Sequence, residues 1–182
     1  MEQLVENYIE SLESTFNRQD NVNDLNHLIM GVSSEAGEVV DMFKKIIGYG
    51  AKEDASFVNK LTLELGDLIW YTTMLQLYTR SQVAIEVDQS KVPEIELDMV
   101  VTSAKLFEFS AKLYQYNHGS NEFRQAVFYI VAIVNQVANN YDVSMEDVLI
   151  KNLNKLQKRH GSSFNKEANH EEGRNRLSEE SN

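Results

Sequence analysis

At 182 residues, with 17 lysines and arginines against 28 aspartates and glutamates, the chain carries a net charge of −11, which argues against a nucleic-acid polymer as its main partner. Its 42% hydrophobic and 25% charged residues are the proportions of an ordinary globular protein, and the length fits one domain with a full core. The chain has no cysteine, no stretch approaching the roughly 18 apolar residues of a membrane span, and an acidic start, M-E-Q-L-V-E-N, without signal-peptide organisation. Disulfides and thiolate chemistry are thereby excluded, and a cytoplasmic protein with no membrane partner is expected.

Residues 2–18 read as a first helix, with Leu4, Tyr8, Leu12 and Phe16 spaced by four in a packing role. The polar run from Arg18 to Asn23 breaks the pattern, and Asn21 or Asn23 is the expected cap of a long second helix over about residues 24–47. Its core stripe is Leu25, Ile29, Val32, Ala36, Val39, Phe43 and Ile47. Gly48-Tyr-Gly50 stops it, and a polar turn leads to a third helix over about 56–80, whose stripe is Leu61, Leu65, Leu68, Thr72 and Leu75. Residues 81–94, with the only proline, Pro93, form a connector.

Beyond it, Leu97, Val100, Ala104, Phe107, Ala111 and Tyr114 alternate at spacings of three and four, as do Phe123, Val127, Ile130, Val134, Val137 and Tyr141. Both read as amphipathic helices, joined at His118-Gly-Ser120 with Ser120 or Asn121 as cap. The last helix starts at Ser144, with Asp147 reaching back in the manner of a capping box, and buries Met145, Leu149, Leu153 and Leu156. Beside that stripe Val148, Asn152, Lys155 and Arg159 form a parallel row. From about residue 166 to 182 the chain is almost wholly polar and is expected to be a disordered tail. The expected fold is thus all-α: a bundle of about six helices built as two hairpins in one domain over residues 1–165.

Chemistry concentrates in the first hairpin. Glu35 and Glu38 are spaced i, i+3 on the second helix, and Glu64 and Asp67 on the third. That spacing puts both acids of a pair on one side of a helix. Glu35 and Glu38 flank the core stripe on a surface shared with Leu28, Gly31, Met42 and Ile46, while Glu64 and Asp67 share a shoulder with Lys60, Tyr71 and Tyr78, so the two acid-bearing surfaces can meet. Four carboxylates that close repel, by about 1 kcal/mol per pair in water and more near a protein surface, and something cationic must compensate. Oxygen ligands without Cys or His select Mg2+, or Mn2+, over zinc. The plain alternative is two solvated helix faces. The row of Asn152, Lys155 and Arg159 suits phosphate oxygens, its alternative being a basic turn that complements the helix dipole. The histidines are solitary, and no phosphate-binding glycine loop or Ser/His/Asp set is found.

The ordered set E35-A-G-E38, E64-L-G-D67-L-I-W70-Y71 and N152-L-N-K155-L-Q-K-R159 resembles the MazG-like all-α nucleotide pyrophosphohydrolases, relatives of the dimeric dUTPases. The resemblance covers about residues 25–80 and 140–160. Where that family often reads Glu-Glu-x-x-Glu, this chain has Ser34 in the first position. The resemblance implies a Mg2+-dependent hydrolysis of a nucleoside or deoxynucleoside triphosphate to monophosphate and pyrophosphate in nucleotide-pool house-cleaning. Glu35, Glu38, Glu64 and Asp67 would be the metal and catalytic set, and Asn152, Lys155, Arg159 and Tyr71 would contact substrate. It also admits a homo-oligomer. The competing reading is a non-catalytic helical bundle, binding a nucleotide or a protein, with a vestigial acid cluster.

The second hairpin could be a worn copy of the first. Glu64-L-G-D-L-I-W-Tyr71 aligns without gaps to Glu122-F-R-Q-A-V-F-Tyr129, with Gln125 in place of Asp67, and the segment from Ala104 aligns to that from Glu35. Two amphipathic helices resembling each other by chance is the alternative.

Overall fold

A computed structural model describes residues 1–88 and 98–160, leaving aside the side chains of residues 21 and 160. Six helices follow one another: α1 (Glu2–Thr15), α2 (Asn21–Tyr49), α3 (Ala55–Tyr78), α4 (Met99–Gln115), α5 (Asn121–Asn140) and α6 (Met145–His160). Part of the expected connector, with Pro93, and the polar tail lie outside the described residues. No helix among the described residues is long and apolar enough to cross a membrane.

Local chemistry sets the helix starts. α2 is capped by Asp20, not by Asn21 or Asn23: its carboxylate accepts the backbone N–H groups of Val22 and Asn23, and a charged acceptor at a helix N-terminus is favoured by the dipole as well as by the bonds. Asp54 caps α3 and Asp98 caps α4 in the same way. At α5 the expected Ser120 accepts from Phe123. Ser144 starts α6 as a capping box, its hydroxyl accepting from the Asp147 N–H at 3.1 Å while the Asp147 carboxylate takes the Ser144 N–H at 3.4 Å.

The two hairpins close into a four-helix ring in which α2 packs on α3 and α4, and α5 on the same two helices. Phe57, near the start of α3, meets Tyr141 at the end of α5. Ser33, in the first half of α2, meets Tyr114 at the end of α4. Neighbours across the ring therefore run antiparallel, like the two helices within each hairpin. α6 lies on the outside of α3, and α1 on α6 and α3. Enclosed by ring and outer layer, α3 is buried on nearly every side, which is why Leu61, Leu63, Leu65, Leu68, Ile69, Thr72, Thr73 and Leu75 are all inaccessible.

Two stripes depart from expectation. Ile47 belongs by period to the α2 core face but is exposed, because it lies in the last turn of the helix. In α4 the residues that face the ring are Thr102, Leu106, Phe109, Ser110 and Leu113. Of the stripe expected from periodicity, Val100, Ala104, Phe107, Ala111 and Tyr114 face solvent, and Leu97 lies outside the described residues. The helix has two apolar faces, and periodicity finds both without ranking them.

A candidate metal and phosphate site on the first hairpin

Glu35 lies near the middle of α2, and Glu64 and Asp67 near the middle of α3. Packing of the two helices brings one carboxylate oxygen from each of the three residues within 4.8 Å of the others. All three side chains are partly buried. Glu38, one turn beyond Glu35, is exposed and outside this tight group, though its charge still reaches Glu35. Burial, then the charges of Asp67 and Glu64, push the Glu35 carboxyl up to about 8, against the opposing pull of Lys155. The shift favours the protonated form, which lets the cluster shed part of its repulsion.

The rest is compensated from α6. The Asn152 amide donates to Asp67 Oδ1 at 2.9 Å, and the Lys155 ammonium bonds Asp67 Oδ2. Both α6 residues are buried, Asn152 completely and Lys155 to 8% exposure. Such close approach depends on Gly66, since a Cβ there would lie 2.9 Å from the Cβ of Asn152. A side chain at position 66 would hold α6 away from Asp67. From the opposite side the fully buried Tyr8 of α1 donates its hydroxyl to Asn152 Oδ1 at 2.9 Å. Burial, and secondarily the charge of Asp67, hold that phenol well above its usual range, so it stays a donor. The chain Tyr8 to Asn152 to Asp67 fixes the amide's orientation, and Lys155 brings a cation to the site.

The aromatic residues form a separate patch. The Tyr71 ring rests on Gly31, where a Cβ would fall 2.0 Å from it. It stands edge-on to Trp70 at 4.7 Å and to His27 at 5.9 Å between centroids, and Phe16 packs on Trp70 and His27. The Trp70 indole nitrogen is buried without a hydrogen-bond partner among the described residues. A cavity of about 630 Å3 opens at the bundle end among Arg18, Leu25, Met74, Tyr78, Arg80 and His118. None of the clustered acids lines it.

Of the residues singled out in the sequence, Glu35, Glu64, Asp67, Asn152 and Lys155 come together. Arg159, one turn beyond Lys155, is partly exposed on α6, and Tyr71, one turn beyond Asp67, sits in the aromatic patch. Tyr8 was missed as a member of the network. Its spacing in α1 marks only a core position, and its partner lies 144 residues away. Chemically, three carboxylates converging from two helices offer the hard oxygen donors that Mg2+ or Mn2+ prefers, beside a buried ammonium suited to a phosphate oxygen. No family model, curated protein or solved structure matches the chain.

Proposed function

We propose that the chain is a Mg2+-dependent nucleoside triphosphate pyrophosphohydrolase of the MazG-like kind, converting a (d)NTP and water to (d)NMP and pyrophosphate. The observation that carries this reading is the convergence of Glu35, Glu64 and Asp67 within 4.8 Å beside the buried Lys155. These three carboxylates would hold the cation, with Glu38 one turn away as a fourth acid. Bound Mg2+ would supply Lewis-acid polarisation of phosphoryl oxygens. Lys155 is positioned to leave Asp67 for a phosphate oxygen, and Arg159 extends the same helix face as a bidentate partner. Asn152, held by Tyr8, keeps Asp67 aligned. One glutamate of the set, acting through water, serves as general base. Tyr71 offers an aromatic face for a base.

A second reading has its own support. Because Lys155 already neutralises Asp67, the cluster could be an inherited ion network in a non-catalytic helical bundle that binds a nucleotide or a protein. Incubating the full chain with each NTP and dNTP and Mg2+, with separate detection of pyrophosphate and orthophosphate, decides between them. Pyrophosphate release from at least one substrate supports the enzyme. Absence of release across the whole set supports the inert bundle.

A further inference from the structure

The cavity at one end of the bundle belongs to none of the chemistry described above. Its volume is about 630 Å3, within the roughly 300–1,000 Å3 of small-molecule sites. Five parts of the chain meet around it: the last turn of α1, the α1–α2 link, the start of α2, the end of α3 and the α4–α5 turn. Leu25 lies ten residues before Glu35, and Met74 seven after Asp67. At 1.5 Å per residue the cavity therefore sits about 10–15 Å along the helices from the acid cluster.

Its lining is divided by chemistry. Leu25 and Met74 are buried and Leu77 is half-buried, which makes an apolar floor, while Arg18, Arg80 and His118 are exposed at the rim. The neighbouring acids are already committed: Glu13 pairs with Arg18 at 3.8 Å, Asp20 caps α2, and Asp24 accepts the Gln19 N–H at 2.8 Å. Arg80 makes no ion pair among the described residues, in a chain whose net charge is −11. The backbone gives that arginine a second distinction. The Ser81 N–H closes onto the Gln76 carbonyl at 2.8 Å in the manner of a Schellman cap. Arg80 holds the left-handed position of that cap, at φ 53°, where glycine is the ordinary choice. Any residue with a Cβ is strained there. Glycine would suit the fold better, so the arginine side chain is kept at a cost, and such strain gathers at functional sites.

We propose that this cavity binds a small organic anion, a single phosphate or carboxylate on an aromatic or apolar body. The Arg80 guanidinium holds the head, and Leu25, Met74 and Leu77 take the body. A guanidinium forks onto either kind of head, whereas an apolar floor has nothing to offer a bare inorganic ion. The site is independent of the hydrolysis proposed above, and its test needs no turnover.

That test uses the full chain in metal-free buffer, where no cation can hold a phosphate at the acid cluster. Binding is read from the methyl NMR signal of labelled Met74, on the cavity floor. AMP and indole-3-acetate are the probes, one for each head, and inorganic phosphate and indole are the controls that lack the body or the head. At least one of the two organic anions should shift the Met74 signal saturably, and each control should bind at least about tenfold more weakly. Arg80→Gly should weaken binding at least about tenfold and leave the melting temperature unchanged or higher, because it removes the head contact and the backbone strain together. Binding of AMP alone identifies a phosphate head and of indole-3-acetate alone a carboxylate; either supports the proposal. It is overturned if neither anion moves Met74 at millimolar concentration, if indole binds as tightly as indole-3-acetate, or if Arg80→Gly binds as the parent does. A lower melting temperature for Arg80→Gly also overturns it, since Arg80 would then serve the fold.

Discussion

The two hairpins have the same helical build and put their acids to opposite uses. In α2 and α3, Glu35, Glu64 and Asp67 point into a shared, partly buried space. One of them is pushed up to about 8, and a lysine is drawn out of solvent to meet another. In α4 and α5 the acids stay apart. Glu108 lies on the surface between Lys105 and Lys112, which hold its carboxyl below the usual range. Glu122 occupies the first turn of α5, where a backbone N–H and then the Ser120 hydroxyl lower it. The proposed alignment of Glu64 with Glu122 pairs a mid-helix position with a helix start, so the two do not occupy equivalent depths in the bundle. Acids facing solvent relax into local ion pairs and caps, whereas acids facing another helix must import a cation or keep a proton.

That contrast can be broken at several points. The largest effect is expected at the cluster itself: Glu64→Gln and Asp67→Asn should each lower Mg2+-dependent pyrophosphate release by at least about a hundredfold, the scale of losing a major electrostatic contribution to catalysis. Steady-state assays on variants shown to be folded by circular dichroism would measure it. Next is Lys155→Gln. Removing one partner of a largely buried ion pair costs about 3 kcal/mol or more, so this variant should unfold at clearly lower urea concentration than the parent in metal-free buffer.

A third effect is the dependence of stability on pH. The folded-state value of Glu35, about 8, lies above its ordinary 4.5, so between these values the folded chain keeps a proton that the unfolded chain has released. The resulting stabilisation is full below about pH 4.5 and lost as pH rises through 8. Metal-free unfolding midpoints should fall across that window, and Glu35→Gln should flatten the decline. Smallest of all are the changes in the other hairpin. Glu108→Gln loses two exposed ion pairs and should cost about 0.5 kcal/mol or less. Glu122→Gln, like it, should leave pyrophosphate release nearly unaltered.

All six helices and both hairpins were legible in the sequence because each helix carries a long apolar period bounded by turn residues. Asp67, Asn152 and Lys155 were legible as members of ordered spacings, although nothing in those spacings says that Asn152 and Lys155 reach over Gly66 to the same carboxylate. The expectation of four mutually repelling acids awaiting a cation overlooked that the chain supplies one of its own. As a consequence, Asp67→Asn orphans Lys155 instead of simply relieving repulsion. Periodicity also placed the α4 stripe in the core, since Leu106, Phe109 and Leu113 make a second face of comparable apolarity, and only packing against α2 and α5 selects between them. Tyr8 could not be found, because a hydrogen bond between helices at opposite ends of the chain leaves no local pattern.

The central claim is that the Glu35, Glu64 and Asp67 cluster binds Mg2+ for hydrolysis, and Glu35→Gln tests it most directly. Glutamine carries no charge at any pH and escapes the loss of stability that the raised Glu35 carboxyl brings above its ordinary value, so the metal-free melting temperature at pH 7 should be at or above that of the parent. Thermal melts with and without millimolar Mg2+, paired with pyrophosphate release, then separate the outcomes. The parent should gain stability by linkage to the bound cation and turn over. Glu35→Gln should show little Mg2+-dependent gain and at least about a hundredfold lower release. A folded Glu35→Gln variant with full turnover and an unchanged Mg2+ response would contradict the assignment of this cluster as the metal site.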